Sequence, residues 1–274
     1  MGSYEDAKAV ADFIKTKVSL TPRFGIICGS GLGNLADIVS NPIVVKYSDI
    51  KQFPISTVKG HSGSMSSLRG LPHESGEERF MLFSFGQVTL PVRVMKLLGV
   101  ETLIVTNASG ALNPDYKAGD MMIIKDHISL LGMTGLNPLV GPNDERFGTR
   151  FPATTDIYTK ELRELAKAVG KEMHIEDCLH EGVYLGFLGP TYSTTSESRF
   201  VRLIGADAMG MSTTHETIVA KHAGLKVFAL SLTTDEAELD IDTEVTCDHE
   251  EVLRTAAMRT DVLKTLVVKM LEKM

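Results

Sequence analysis

The run Phe24-Gly25-Ile26-Ile27-Cys28-Gly29-Ser30-Gly31-Leu32-Gly33 decides the fold. Its first five residues read as a short buried strand, and the glycines after them as a tight turn into a helical pattern. The arrangement recurs. Leu103-Ile104-Val105-Thr106, Met121-Met122-Ile123-Ile124, Tyr184-Leu185-Gly186-Phe187 and Val227-Phe228-Ala229-Leu230 are further apolar strands. Helical spacing lies between and around them: in Ala7, Val10, Ala11, Ile14 and Val18, and over residues 155–173, 213–223 and 250–273. Asp248, with Glu251 in capping-box register, predicts the start of the last helix. Continuous apolar strands alternating with helices predict an α/β fold. We expect a single domain over 1–274, with a mostly parallel mixed sheet flanked by helices in three layers. Such sheets collect ligands at the carboxyl ends of their strands, so polar clusters after apolar strands are where chemistry is expected.

Composition narrows the classes. The 274 residues carry 28 Lys+Arg against 35 Asp+Glu, a formal net charge of -7, with no run of basic residues. A general nucleic-acid binder needs the opposite footprint, so nucleic acid is not an expected partner. No apolar stretch is long enough to span a bilayer, and no membrane partner is expected. Met1-Gly2-Ser3-Tyr4-Glu5-Asp6 has neither the basic nor the apolar region of a signal peptide, and Asp6 stands where a myristoylation signal wants Ser or Thr. Cys28, Cys178 and Cys247 are far apart and show no C-x-x-C spacing. They read as free thiols in a reducing compartment, which makes the cytoplasm the expected location.

Five polar clusters stand out. Gly29-Ser30-Gly31-Leu32-Gly33 is G-x-G-x-G, which is neither the dinucleotide fingerprint nor a P-loop; it is a phosphate loop of another kind or a plain turn. Gly60-His61-Ser62-Gly63 frees a His to meet an anion or simply to be solvated. Thr106-Asn107-Ala108-Ser109-Gly110-Ala111-Leu112-Asn113-Pro114 follows an apolar strand. In Gly210-Met211-Ser212-Thr213-Thr214, Ser212 or Thr213 could equally be the N-cap of the next helix. Ser231-Leu232-Thr233-Thr234-Asp235-Glu236 could be a turn with a capping carboxylate. Two tempting motifs fail: His215-Glu216 lacks the second His of H-E-x-x-H, and Gly210-Met211-Ser212 is not a nucleophile elbow.

Taken together, the chain resembles the homotrimeric branch of the purine nucleoside phosphorylase family. The matching segments are Cys28-Gly29-Ser30-Gly31-Leu32-Gly33, Gly60-His61, the stretch from Leu97-Leu98-Gly99-Val100 to Asn113-Pro114, Gly141-Pro142-Asn143-Asp144-Glu145-Arg146-Phe147-Gly148, Gly205-Ala206-Asp207-Ala208-Met209-Gly210-Met211-Ser212 and Asp248-His249-Glu250-Glu251. The resemblance implies reversible phosphorolysis of nucleosides to free base and (deoxy)ribose 1-phosphate in purine salvage, by an enzyme with no metal and no organic cofactor. Its partners are a nucleoside and inorganic phosphate, the co-substrate, and its assembly is a homotrimer. Residue by residue, Ser30, His61, Ala108 through its N–H, and Ser212 match the phosphate group. Met211 matches the ribose packing residue, His249 the partner of the 5′-hydroxyl, and Phe147 the aromatic lent to a neighbour's sugar from a surface loop. Ser109, Gly110, Tyr192, Ser193, Met209, Thr234 and Asp235 line the implied base pocket, and Asp235 and His249 are the implied catalytic pair.

The chain departs from the family in three places. After the strand ending near Phe85 the family has Gly-Arg-x-His-x-Tyr-Glu-Gly, whereas here Phe85-Gly86-Gln87 runs straight into Val88-Thr89-Leu90-Pro91. Either the chain lacks that segment or the written sequence omits a loop; omission is the expectation, because almost nothing otherwise joins strand to helix. Ser193 stands where the family reads the base with Glu. Asp235 stands where the family reads a 6-oxopurine with Asn, and Asp is the choice of the related methylthioadenosine phosphorylases. An ionised Asp can only accept a hydrogen, so preference should move toward amino-bearing bases. Adenosine and inosine, with cytidine as an addition, are the expected substrates. A methylthioadenosine phosphorylase and a nucleoside-binding protein with a degenerate site are the alternatives.

Overall fold

The computed structural model of the protein describes residues 3–18, 20–29, 43–50, 64–73, 76–84, 89–242 and 249–274, with the backbone alone for 64–73, 76–84 and 249. Helix α1 (Tyr4–Lys17) starts where Ser3 and Asp6 cap each other, the Asp6 N–H donating to Ser3 Oγ at 3.0 Å and the Ser3 N–H to Asp6 Oδ2 at 2.8 Å. Strands β1 (Phe24–Cys28), β2 (Ile43–Lys46), β3 (Ser64–His73) and β4 (Gly76–Ser84) follow. Helix α2 (Leu90–Leu98) has Pro91 in its first turn and stops at Gly99, whose φ of 103° suits glycine. The chain continues through β5 (Thr102–Ala111), β6 (Met121–Ser129), α3 (Lys160–Glu172), β7 (Leu179–Gly186), α4 (Thr195–Leu203), β8 (Ala208–Gly210), α5 (Thr214–His222), β9 (Lys226–Glu236) and α6 (His249–Glu272).

Among the described residues the strands form one sheet in the order β2-β3-β4-β1-β5-β8-β7-β6-β9, and β5 also pairs with β9. Parallel pairings join β1 to β4 and β5, β5 to β9, and β7 to β6 and β8. Antiparallel pairings join β3 to β2 and β4, β5 to β8, and β6 to β9. The mixed, mainly parallel sheet matches the expectation. A flat layered reading does not include one feature: the β5–β9 pairing closes β5, β8, β7, β6 and β9 into a ring. A register shift between Ser109 and Gly110 bends the long β5–β9 ladder near its upper end.

Helices cover both faces of the sheet. Ile14 of α1, Val94 of α2 and Val219 of α5 pack in one buried cluster with Ile27, Val105 and Ala229. Ala166 of α3 and Leu263 and Met270 of α6 pack in the other with Phe24, Ile104 and Phe228. Cys28 is a free thiol in this core, and burial pushes its pKa up to about 12. Cys178 is also free, and Cys247 lies outside the described residues. Among the described residues no helix is long and apolar enough to cross a membrane.

Several expected boundaries move. The helix read over 155–173 begins at Lys160, because Thr159 is extended and its hydroxyl accepts the Val227 N–H at 3.1 Å, which uses the preceding residues as a connection. The last helix runs from His249 to Glu272, and its expected cap Asp248 lies outside the described residues. The largest correction concerns the strands. β5 continues past the apolar run to Ala111 and β9 to Glu236, so most of the cluster expected after the first of these strands, and the whole cluster offered as a turn, lie on strands. Five residues, 85–89, join β4 to α2, and 85–88 lie outside the described residues.

Candidate active site

The upper ends of β5, β8 and β9 meet side by side. Gly110 of β5 is in register with Met209 of β8 and with Asp235 of β9. A Cβ on Gly110 would come 3.1 Å from Asp235 Oδ2, so the carboxylate lies directly against the backbone of that strand. Asp235 is fixed from its own strand as well: the Thr234 hydroxyl lies 2.9 Å from Oδ1 and 3.3 Å from the Ser109 carbonyl. Of the residues expected around the base, the structure therefore brings Ser109, Gly110, Met209, Thr234 and Asp235 together.

The expected phosphate residues Ala108 and Ser212 converge beside this group. Gly210 lies so close to its neighbours that a Cβ there would sit 2.4 Å from the Tyr184 hydroxyl and 3.3 Å from the Ala108 carbonyl. Behind it, Ser212, Thr213 and Thr214 make a three-residue turn, the Thr214 N–H donating to the Ser212 carbonyl at 2.8 Å. Thr213 at its centre has φ 75° and ψ -50°, a conformation that costs a β-branched residue about 1–3 kcal/mol. Its side chain does not cap α5; it accepts a hydrogen bond from Asn107 Nδ2 at 2.7 Å. Ser30 and His61 lie outside the described residues, and His249 is placed only as the first residue of α6.

The Tyr192 loop reaches the group through Met211. A Cβ on Gly189 would meet Met211 Sδ at 2.4 Å, so the loop backbone rests on that side chain. Tyr192 is 44% exposed, and Ser193 Oγ pairs with the buried Ser198 hydroxyl of α4 at 2.9 Å.

Phe147 does not join them. It is 5% exposed, its ring 5.2 Å from that of Tyr4 in α1 and covered by the Arg93 guanidinium. Its segment is held by its own chain: Arg146 stacks on Tyr4 and bridges Glu5 at 2.9 Å, and Asn143 pairs with His222 at 3.1 Å. The expectation that Phe147 projects from a surface loop is corrected, because its ring completes the core under α1. The exposed aromatic of this stretch is Phe151, four residues on and 87% exposed.

A second polar layer lies below the site, and of its members the sequence singles out only Glu216, as half of an incomplete metal motif. Glu216 of α5 is 2% exposed, its Oε2 has no hydrogen-bond partner among the described residues, and burial pushes its pKa up to about 7. His127 of β6 pairs with the Tyr158 hydroxyl at 2.8 Å, and burial pushes its pKa down to about 4, so it is neutral. Asn107 and Ser231 lie within the polar clusters of β5 and β9, and neither the residues nor the resemblance gives them a role. Their signal is a buried polar residue directly after the apolar run of each strand, Val105-Thr106 before Asn107 and Ala229-Leu230 before Ser231.

A family model for the Phosphorylase superfamily matches residues 23–272. The purine nucleoside phosphorylase of Rattus norvegicus is 43% identical across 98% of this chain and 95% of its own length. Purine nucleoside phosphorylase 1 of Bacillus subtilis is 45% identical across 93% of each chain. Among solved structures, purine nucleoside phosphorylase of Schistosoma mansoni in complex with adenosine superposes with a TM-score of 0.90 at 41% identity, covering 98% of this chain and 97% of the other. Isoform 2 from the same organism, in complex with cytosine and ribose-1-phosphate, gives a TM-score of 0.91 at 38% identity over 99% and 97%. The chain belongs to the purine nucleoside phosphorylase family, within the phosphorylase superfamily.

Proposed function

We propose that this phosphorylase reads its base with the Asp235 carboxylate and therefore accepts amino-bearing bases alongside 6-oxopurines. The reaction itself is the family's: phosphate cleaves the N-glycosidic bond, giving free base and ribose 1-phosphate. As that bond breaks, positive charge develops on the sugar, and an anion held beneath the ring both stabilises the charge and attacks it. Ser30, His61, the Ala108 N–H and Ser212 bind the phosphate. Met211 packs on the ribose, and His249 meets its 5′-hydroxyl. Ser109, Gly110, Tyr192, Ser193, Met209 and Thr234 line the base pocket around Asp235. No metal or organic cofactor enters the reaction, and the enzyme works in the cytoplasm.

The observation that carries the base reading is the seating of Asp235 against Gly110, with Thr234 beside it. A carboxylate so placed accepts the hydrogens of an exocyclic amine, while a 6-oxo group meets it acceptor to acceptor. Leaving such a mismatch buried costs about 1–3 kcal/mol, or about one to two decades in specificity. The ligands of the solved relatives support breadth: adenosine in one structure, and cytosine with ribose-1-phosphate in another. The test compares phosphorolysis of adenosine, inosine and cytidine by wild type and Asp235→Asn. The substitution should move preference toward inosine at least several-fold, and an unchanged ratio would mean that Asp235 does not read the base.

The assembly is a homotrimer in which one protomer lends an aromatic to the next. Phe151 takes the part first given to Phe147, because it alone of the two presents its ring outward. Light scattering at assay concentration should give three times the chain mass; a monomer would contradict the arrangement.

A further inference from the structure

A file of buried side chains runs from the phosphate end of the site to the base end. Ser212 Oγ lies 3.2 Å from Thr213 Oγ1, which accepts from Asn107 Nδ2 at 2.7 Å. On the other side of the same amide, Asn107 Oδ1 faces Ser231 Oγ at 2.5 Å. Ser231 Oγ also lies 2.7 Å from Ser109 Oγ. The Ser109 carbonyl meets the Thr234 hydroxyl, which reaches Asp235. Asn107, Thr213 and Ser231 are all buried in the protein. Asn107 and Ser231 come from adjacent positions of the β5–β9 ladder, where they are register partners.

We propose that Asn107 and Ser231 are positioning residues that couple the phosphate subsite to the base subsite by setting which way this file of hydrogen bonds runs. A serine hydroxyl has one proton, and that of Ser231 has two acceptors, Asn107 Oδ1 and Ser109 Oγ. An anion beside Ser212 accepts the hydrogen bond that the Ser212 hydroxyl donates. Ser212 then accepts from Thr213, and Thr213 in turn accepts from the Asn107 N–H. This fixes Asn107 with Oδ1 toward Ser231 and draws the Ser231 proton to that side. Ser109 Oγ is left with its lone pairs open to a hydrogen of the base. Bound phosphate thus prepares the base end, and bound base must prepare the phosphate end by the same factor, because coupling is reciprocal. The strained Thr213 backbone keeps Ser212 at the head of the file, and the Asn107 bond holds Thr213 there.

The inference rests on the phosphate and base assignments given above, and calorimetry separates its failure from theirs. Phosphate is titrated into the whole enzyme with and without saturating hypoxanthine, and again with adenine. Wild type should bind phosphate at least fivefold more tightly when base is present, the lower end of ordinary coupling. Ser231→Ala keeps the Asn107–Thr213 bond and should bind phosphate alone within about twofold of wild type, with the base effect reduced to near unity. Asn107→Asp keeps the shape and the acceptor toward Ser231 but loses the N–H to Thr213, and should abolish the base effect too. If Ser231→Ala does not fold, Asn107→Asp decides alone. Coupling that survives in a folded variant, or wild type that binds phosphate without coupling, overturns the proposal. Wild type that binds no phosphate at all overturns the site assignment, and this inference with it.

Discussion

Strands β5 and β9 change character halfway along. In their lower halves Leu103, Ile104 and Val105 face Val227, Phe228 and Ala229 in register, all buried and all apolar. In their upper halves Asn107, Ser109 and Gly110 face Ser231, Thr233 and Asp235, equally part of the ladder but polar. The lower half draws its stability from area removed from water. The upper half only breaks even, because each buried hydroxyl or amide must find a partner to offset its desolvation. The same two strands thus bury apolar area at one end and pair polar groups with one another at the other.

The sharpest way to break this contrast is to cut the lower half. Phe228→Ala should cost about 3–5 kcal/mol in denaturant unfolding, with Michaelis constants unchanged in the folded fraction. A variant that kept its stability but lost substrate affinity would put function in the wrong half.

Glu216 tests whether the polar layer carries a stability cost. Burial lifts it from the usual 4.5 to about 7, so the native state holds an extra proton between those values and loses stability as pH rises through that window. Glu216→Gln should gain about 3 kcal/mol over wild type at pH 8 and almost nothing at pH 4. Unfolding curves at pH 4, 6 and 8 measure this; a constant offset across all three would contradict it.

The two phenylalanines sharpen the contrast between packing and function. Phe147→Ala should destabilise by about 3 kcal/mol or more, since its ring fills the space between Tyr4 and Arg93. Phe151→Ala should change stability by no more than about 0.5 kcal/mol yet raise the nucleoside Michaelis constant. Equal stability losses in the two variants would undo the correction. Ser231→Ala should cost about 1 kcal/mol in stability, set against the loss of coupling described above.

Legibility in the sequence follows the same division. Apolar runs such as Val227-Phe228-Ala229-Leu230 announce buried strands, because burial selects them directly. The continuation of β9 through Ser231 to Glu236 is hidden in the sequence, because Ser231 and Thr234 find partners on β5, more than a hundred residues away, and no local pattern marks them. The residues expected around the base are readable from the family resemblance, Asp235 and Gly110 among them. Asn107 was not, since its partners Thr213 and Ser231 are more than a hundred positions away in sequence. Phe147 was misread for a related reason: a Gly- and Pro-rich segment looks exposed, and the α1 surface that buries it is over a hundred residues upstream.

Phosphate is the attacking group of the reaction. Phosphorus NMR of the enzyme with inosine, and separately with adenosine, follows it directly. Inorganic phosphate should be consumed, ribose 1-phosphate should appear in equal amount with free base, and base release should stop when phosphate is withheld. Free ribose as the product, or base released at the same rate without phosphate, would contradict it.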